Sequence, residues 1–396
     1  MSSEPWPTEV AALKQEADRA LRRSEPAAAA EIFQRALAIA PRRIELLMGL
    51  AVSRKANGQE QAAIAAVDEA LAVEPRLFAA HLLKGALLDG MGRSKAAALT
   101  YADALRLAPP ANLLPEPTHR ALVRATEVCE RHRSELAERL REAADLPELP
   151  ASLARKIEAF IETTSGRRRF FAQLPSQFYF PGLPAIEFYD PGEFSWLSAL
   201  EEQWPAIRDE ALAVWSDGTG GLKPYVQLGP GAPFDQWAEL NHSSNWSAFH
   251  LFHDGVPESV NQARCPATVA ALETIEQPVV GGRSPTALFS VLRPGTHIPP
   301  HNGLNNTRLI VHMGLVTPEG CALRVGGETR TWVAGKAFVF DDTIEHEAWN
   351  NSPSPRAVLI CDVWNPRLSA EERELIVRLT EVADRFNEFA ASRTVA

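Results

Sequence analysis

The chain has few cysteines, no basic stripe and no long apolar run, and each absence excludes a class of protein. Its four cysteines, Cys129, Cys265, Cys321 and Cys361, lie far apart with no CxxC pair. That excludes a zinc knuckle or a disulfide framework and fits a reducing cytoplasm. A net charge of −10 leaves no positive footprint for phosphates, and the basic run at 166–169 is short, so no nucleic-acid partner is expected. No stretch of about 18 apolar residues occurs. The first residues also lack the basic start and apolar run of a secretory signal, so a cytoplasmic protein without a membrane partner is the expectation.

What is present divides in two. A chain of 396 residues exceeds the size at which one core keeps growing, so two domains are expected. At a period of 34, "FQRALAIAP" (33–41), "VDEALAVEP" (67–75) and "YADALRLAP" (101–109) fall into register. Small Ala17, Ala51 and Gly85 share one column, Ser24, Gly58 and Gly92 a turn column, and Ala29, Ala63 and Ala97 a third. Bulky Phe33, Val67 and Tyr101 alternate with small Ala36, Ala70 and Ala104. Small residues let paired helices approach, a bulky one fills the gap to the next pair, and proline ends the helix. The period is the tetratricopeptide length and predicts a helical solenoid over 8–110. It is read as a peptide-docking surface, with a spacer that binds nothing as the competing reading. Helical patterning without the repeat continues over 111–165 as a connector.

After residue 166 prolines, glycines and aromatics multiply, and short β-branched runs alternate with turn signals. "TALFSVL" (286–292), "TRLIVHMGL" (307–315), "CALRVGG" (321–327), "KAFVFDD" (336–342) and "RAVLICDVW" (356–364) predict an antiparallel sandwich or jelly roll. Helical spacing returns over 369–396. Four of the ten histidines, His297, His301, His312 and His346, fall in this strand-rich block. The 45 residues between His301 and His346 suffice for several strands, so both could face one barrel interior.

The segment from "FSVLRPGTHIPPHNG" through "RLIVHMGL", "ETRTW" and "FDDTIEHEAW" to "DVWNP" resembles the aspartyl/asparaginyl β-hydroxylase family of iron(II)- and 2-oxoglutarate-dependent oxygenases. Members of that family also carry tetratricopeptide segments ahead of the oxygenase domain. The resemblance implies a multidomain α + β chain, with the solenoid followed by a double-stranded β-helix, or jelly-roll, oxygenase domain over 166–368.

It further implies iron(II) held by His301 and His346, with 2-oxoglutarate and O2 as cosubstrates and ascorbate as a supporting reductant. Non-haem iron sites usually add a carboxylate two residues after the first histidine. Here that position is Gly303, an absence the family shares. By the same resemblance Arg356 grips the distal carboxylate of 2-oxoglutarate, since a planar guanidinium matches a carboxylate bidentately, and Ser290 assists through its hydroxyl. His312 corresponds to a residue near the cosubstrate carboxylate at the metal, and Trp246 to one lining the pocket. Some members have an arginine two residues before His312; this chain has Ile310 there and keeps Arg308. His297 is read as structural or supporting. Asp341, Asp342, Glu345 and Glu347 are the nearby carboxylates, and strand alternation turns the two that flank His346 away from its face.

The implied reaction hydroxylates an unactivated carbon, the β-carbon of aspartyl or asparaginyl residues in a peptide or protein. Oxidative halogenation with the same cofactors is one rival, because a small residue in place of the acid can open a position to chloride. A tetratricopeptide scaffold that has lost catalysis is the other.

Overall fold

The computed structural model describes residues 6–216, 221–229 and 235–386, and the chain divides into two compact units, Met1–Arg167 and Arg168–Ala396. In the first, α1 (Thr8–Arg22), α2 (Pro26–Ile39), α3 (Ile44–Ala56), α4 (Glu60–Val73), α5 (Phe78–Gly90) and α6 (Ser94–Leu107) form three antiparallel pairs. The turn column closes each pair in the left-handed region, at φ 59° for Ser24, 69° for Gly58 and 72° for Gly92. Glycine adopts that conformation freely and serine does so at some cost. The small and bulky columns interlock: a Cβ on Gly85 would lie 2.4 Å from the Tyr101 ring, and Ala17, Ala29, Ala51 and Ala63 are fully buried. This unit is a tetratricopeptide solenoid. The long α7 (Glu116–Ala144) and α8 (Ala151–Thr164) complete it.

The second unit is built on two antiparallel sheets. The larger runs β1 (Lys223–Pro224), β2 (Trp246–His253), β4 (Ala287–Leu292), β11 (Arg356–Trp364), β6 (Arg308–Val316) and β9 (Ala337–Phe340), with β3 (Val256–Pro257) beside β2. The smaller runs β5 (Thr296–His301), β10 (His346–Asn350), β7 (Cys321–Val325) and β8 (Glu328–Thr331).

Both faces of the larger sheet are buried, which is why its strands read as near-continuous apolar runs. One face carries Phe249, Phe289, Val311, Met313 and Leu359, packed with Leu200, Ile207 and Val214 from the helices Leu197–Glu202 and Trp204–Ser216. The other carries Trp246, Leu292, Ile310, Phe340 and Val358, which pack with Ile298, Leu323 and Ala348 of the smaller sheet. Between these apolar residues, the inner face also presents polar ones in ladder register. Ser290 lies opposite Val358, His312 opposite Ile360, Asp362 opposite Ile310, and Arg356 opposite Leu292. Polar groups at inner positions of doubly buried strands are costly unless they are hydrogen-bonded or paired. The closing helix is described as Ala370–Phe386; residues 387–396 of the expected stretch lie outside the described residues.

Candidate active site

His301 ends β5 and His346 begins β10, and the two are paired across the ladder with ring centroids 4.0 Å apart. Each Nδ1 lies against the carbonyl two residues before it, His301 to Pro299 O at 2.7 Å and His346 to Ile344 O at 3.1 Å. A proton held there leaves the Nε2 lone pair available. Burial pushes both imidazoles toward the neutral form, His346 to about 4 and His301 well below the usual range, the latter helped by its neighbour His346. A histidine must be neutral to ligate a metal, and these two neutral imidazoles stand side by side. Among the described residues no group of three or more His, Cys, Asp or Glu forms a metal cage.

The inward direction of His301 depends on a bulge. Ile298 and His301 both line the central cavity although they are three residues apart, a spacing that puts side chains of a regular strand on opposite faces. Register shifts between His346, paired with His301, and Ala348, paired with Ile298, so the Pro299–Pro300 step supplies the extra residue. His297 consequently faces outward, 52% exposed, with Nε2 2.7 Å from Glu347 Oε2. Glu345 and Glu347 both pair with Arg324, and Asp341 is bound to Thr343 and Gln173.

Asp342 differs from the other three acids because it lines the cavity. A Cβ on Gly303 would stand 2.1 Å from its Oδ2, so the carboxylate fills the place a side chain at 303 would take. Asp342 Oδ1 is buried without a partner, and Oδ2 lies 3.5 Å from Arg308 Nη2. Burial raises the pKa of this acid and Arg308 opposes the rise.

Trp246, Ser290, His301, Arg308, His312, His346 and Arg356, far apart in sequence, all line this one cavity of about 350 Å³. Arg356 is 1% exposed, its Nε and Nη1 lack partners, and its guanidinium lies 4.7 Å from the centre of the Trp332 ring. Burial alone lowers its pKa to about 10, which leaves it charged at neutral pH. His312 Nδ1 is also buried and unpartnered; burial first, then Arg356, keeps that ring neutral. Ser290 Oγ accepts a hydrogen bond from Trp246 Nε1 at 3.1 Å, and Trp246 stacks on Tyr225 at 3.9 Å. A buried cation without a counter-charge, beside an orphaned imidazole nitrogen, fits a bound anion. Three contributors escaped the sequence reading: Trp332 under Arg356, Trp237 edge-on to His301 at 5.1 Å, and Tyr225. The "ETRTW" run pointed to Trp332; the other two have no local signal.

With this geometry in place, comparison with known proteins shows what the second unit is similar to. Residues 201–366 match the family described as Aspartyl/Asparaginyl beta-hydroxylase. Over these residues the second unit is similar to that family. The aspartyl/asparaginyl beta-hydroxylase of Mus musculus is 37% identical over 196 residues, 48% of this chain and 25% of the relative. The ornithine lipid ester-linked acyl 2-hydroxylase of Rhizobium tropici is 35% identical over 181 residues, 45% of this chain and 60% of the relative. Aspartate beta-hydroxylase domain-containing protein 2 of Homo sapiens is 30% identical over 208 residues, 52% of this chain and 54% of the relative. The chain thus spans from a quarter to three-fifths of the length of these relatives. Among solved structures, the Sgt2 tetratricopeptide domain from Aspergillus fumigatus aligns at 26% identity and TM-score 0.29, covering 38% of this chain and 91% of that one. The tetratricopeptide assignment itself stands on the 34-residue period and the helix pairs that carry it. Among the described residues no helix is long and apolar enough to cross a membrane.

Proposed function

We propose that the β-hydroxylase-family domain is an iron(II)- and 2-oxoglutarate-dependent dioxygenase. It hydroxylates an unactivated carbon, the β-carbon of an aspartyl or asparaginyl residue in a peptide that the helical repeats help to dock. The observation that carries this reading is the pairing of two groups in one cavity. Two neutral imidazoles adjoin, and a buried guanidinium whose Nε and Nη1 have no partner among the described residues lines the same cavity.

His301 and His346 are the residues that would hold iron(II), through Nε2. Bound iron supplies the activation of dioxygen, coupled to decarboxylation of 2-oxoglutarate to succinate and carbon dioxide. The chain's own groups bind and orient. Arg356 takes the distal carboxylate of 2-oxoglutarate as a charge-assisted pair, and the Ser290 hydroxyl, oriented by Trp246 Nε1, can add a donor. Neutral His312 offers a single hydrogen bond to the other end of the cosubstrate without adding charge near the metal. Trp237, edge-on to His301 and beside Trp246, adds an aromatic wall next to the histidines that would hold iron. Arg308 and Asp342 face the remaining space, where the substrate enters. Against halogenation stands the Asp342 carboxylate: it fills the Gly303 side and repels the halide that a vacated ligand position would need.

The test is mass spectrometry of candidate peptides incubated with the full chain, iron(II), ascorbate and 2-oxoglutarate, with and without chloride. A gain of one oxygen that requires iron and 2-oxoglutarate is expected. A chlorinated product would favour the halogenase. Failure to bind iron(II) or decarboxylate 2-oxoglutarate would favour a scaffold.

A further inference from the structure

Charge is distributed unevenly in the cavity. Arg356 has no carboxylate partner among the described residues, and the proposed function assigns that cation to 2-oxoglutarate. The other two guanidiniums that line the cavity, Arg308 and Arg283, are already held by the protein. Arg308 lies between Asp342 at 3.5 Å and Asp362 at 4.0 Å. Arg283 Nε donates to Asp384 at 3.1 Å, and its Nη1 donates to Gln177. Asp254 also lines the space.

Between Arg308 and His312, alternation along β6 turns Ile310 inward, where its ladder partners are Asp362 on β11 and Phe340 on β9. A carboxylate brought to this wall would meet an aliphatic side chain, with two protein carboxylates already engaged on the nearest cation. Burying a second anion without a partner is strongly unfavourable. A neutral amide has no such cost. Asp342 also lines this cavity, so its carboxylate repels an incoming acid and leaves an amide unopposed.

We infer that the domain selects an uncharged, amide-bearing target side chain over a carboxylate, and that Ile310 and Asp342 set this preference. The inference rests on the dioxygenase reading and narrows its substrate class to asparaginyl rather than aspartyl residues. Ile310 acts by withholding a cation, Asp342 by repelling the acid.

Two peptide libraries with randomised flanks and a fixed central Asn or Asp test it. Each is incubated with the full chain, iron(II), ascorbate and 2-oxoglutarate, and the added oxygen at the fixed residue is read by mass spectrometry. The Asn library is expected to be oxygenated at least about tenfold more than the Asp library, a discrimination of about 1.4 kcal/mol. Ile310→Val should keep that ratio. Ile310→Arg should lower it at least about tenfold, and Asp342→Ala should lower it as well. A ratio is unaffected by partial loss of folded protein, and thermal melts of each variant report on folding directly. A wild-type ratio near one or favouring Asp overturns the inference, as does a ratio unchanged by Ile310→Arg. Succinate formation with neither library oxygenated also overturns it while leaving the cofactor assignment in place. Absence of iron-dependent succinate formation removes that assignment, and the inference with it.

Discussion

Gly303 and Asp342 share one volume: a Cβ on residue 303 would lie 2.1 Å from Oδ2 and 2.5 Å from Oδ1 of the buried carboxylate. The backbone locks the two together, since Gly303 N–H donates to the Asp342 carbonyl at 2.6 Å. An acid at 303 therefore cannot be installed to complete a conventional triad. Gly303→Ala and Gly303→Asp should each destabilise the protein, the alanine by about 1–3 kcal/mol as an overpacked site. Gly303→Ala combined with Asp342→Ala should cost less than the two single changes added together, because the second removes the obstacle to the first. Urea unfolding of the four proteins measures this; additive losses would show that the carboxylate moves aside freely.

The histidine pair gives a second expectation. His301→Ala or His346→Ala should abolish both iron(II) binding and succinate formation, while Asp342→Ala retains iron. Metal content after dialysis against iron(II) measures the difference. Loss of iron from the Asp342 variant would place that carboxylate among the ligands.

Arg356 is a cation buried at 1% exposure with no carboxylate partner among the described residues, so it destabilises the empty protein and serves the loaded one. Arg356→Met should raise the melting temperature of the ligand-free protein, since an apolar side chain of similar length replaces an uncompensated charge. The same change should raise the KM for 2-oxoglutarate by about 30-fold or more, from the 2–5 kcal/mol typical of a truncated buried charge pair, with little effect on iron affinity. Equal weakening of iron and 2-oxoglutarate would signal a general disturbance of the site.

Acid sensitivity should trace in part to His250, whose pKa falls to about 4 through burial first, then through His253 and Lys223. Its ring lies 4.2 Å from that of His253 and 6.5 Å from that of Tyr225, and Asp254 follows His253 in the same turn. Between the ordinary histidine value of about 6.5 and pH 4, the unfolded chain binds a proton that the folded one refuses. Stability is therefore full above that window and declines as pH falls through it. His250→Phe, which preserves the ring packing, should flatten the decline of the urea midpoint between pH 7 and 5. An unchanged slope would assign the sensitivity elsewhere.

The solenoid was legible because its period repeats three times and every column has a steric reason, down to the left-handed turn positions at Ser24, Gly58 and Gly92. The jelly roll was legible as strands because both faces of the larger sheet are buried and its residues are correspondingly apolar. The seven candidate residues were named from the resemblance, and the cavity gathers all of them. Local patterning alone would have misplaced His301, since an unbulged β5 turns it away from Ile298. The role of Asp342 beside Gly303 was not legible, because it depends on two loops 39 residues apart meeting across the ladder. Tyr225 and Trp237 reach the site from segments outside the main strand runs, and only tertiary contact reveals them.

The most direct test of the dioxygenase reading is succinate production from 2-oxoglutarate by the purified full chain, measured under air with iron(II) and ascorbate. It is compared with the same protein carrying His346→Ala and with the same protein treated with a metal chelator. The expected result is iron-dependent succinate formation by the unaltered chain, absent in the variant and after chelation. Succinate formed equally by all three, or by none, would contradict it.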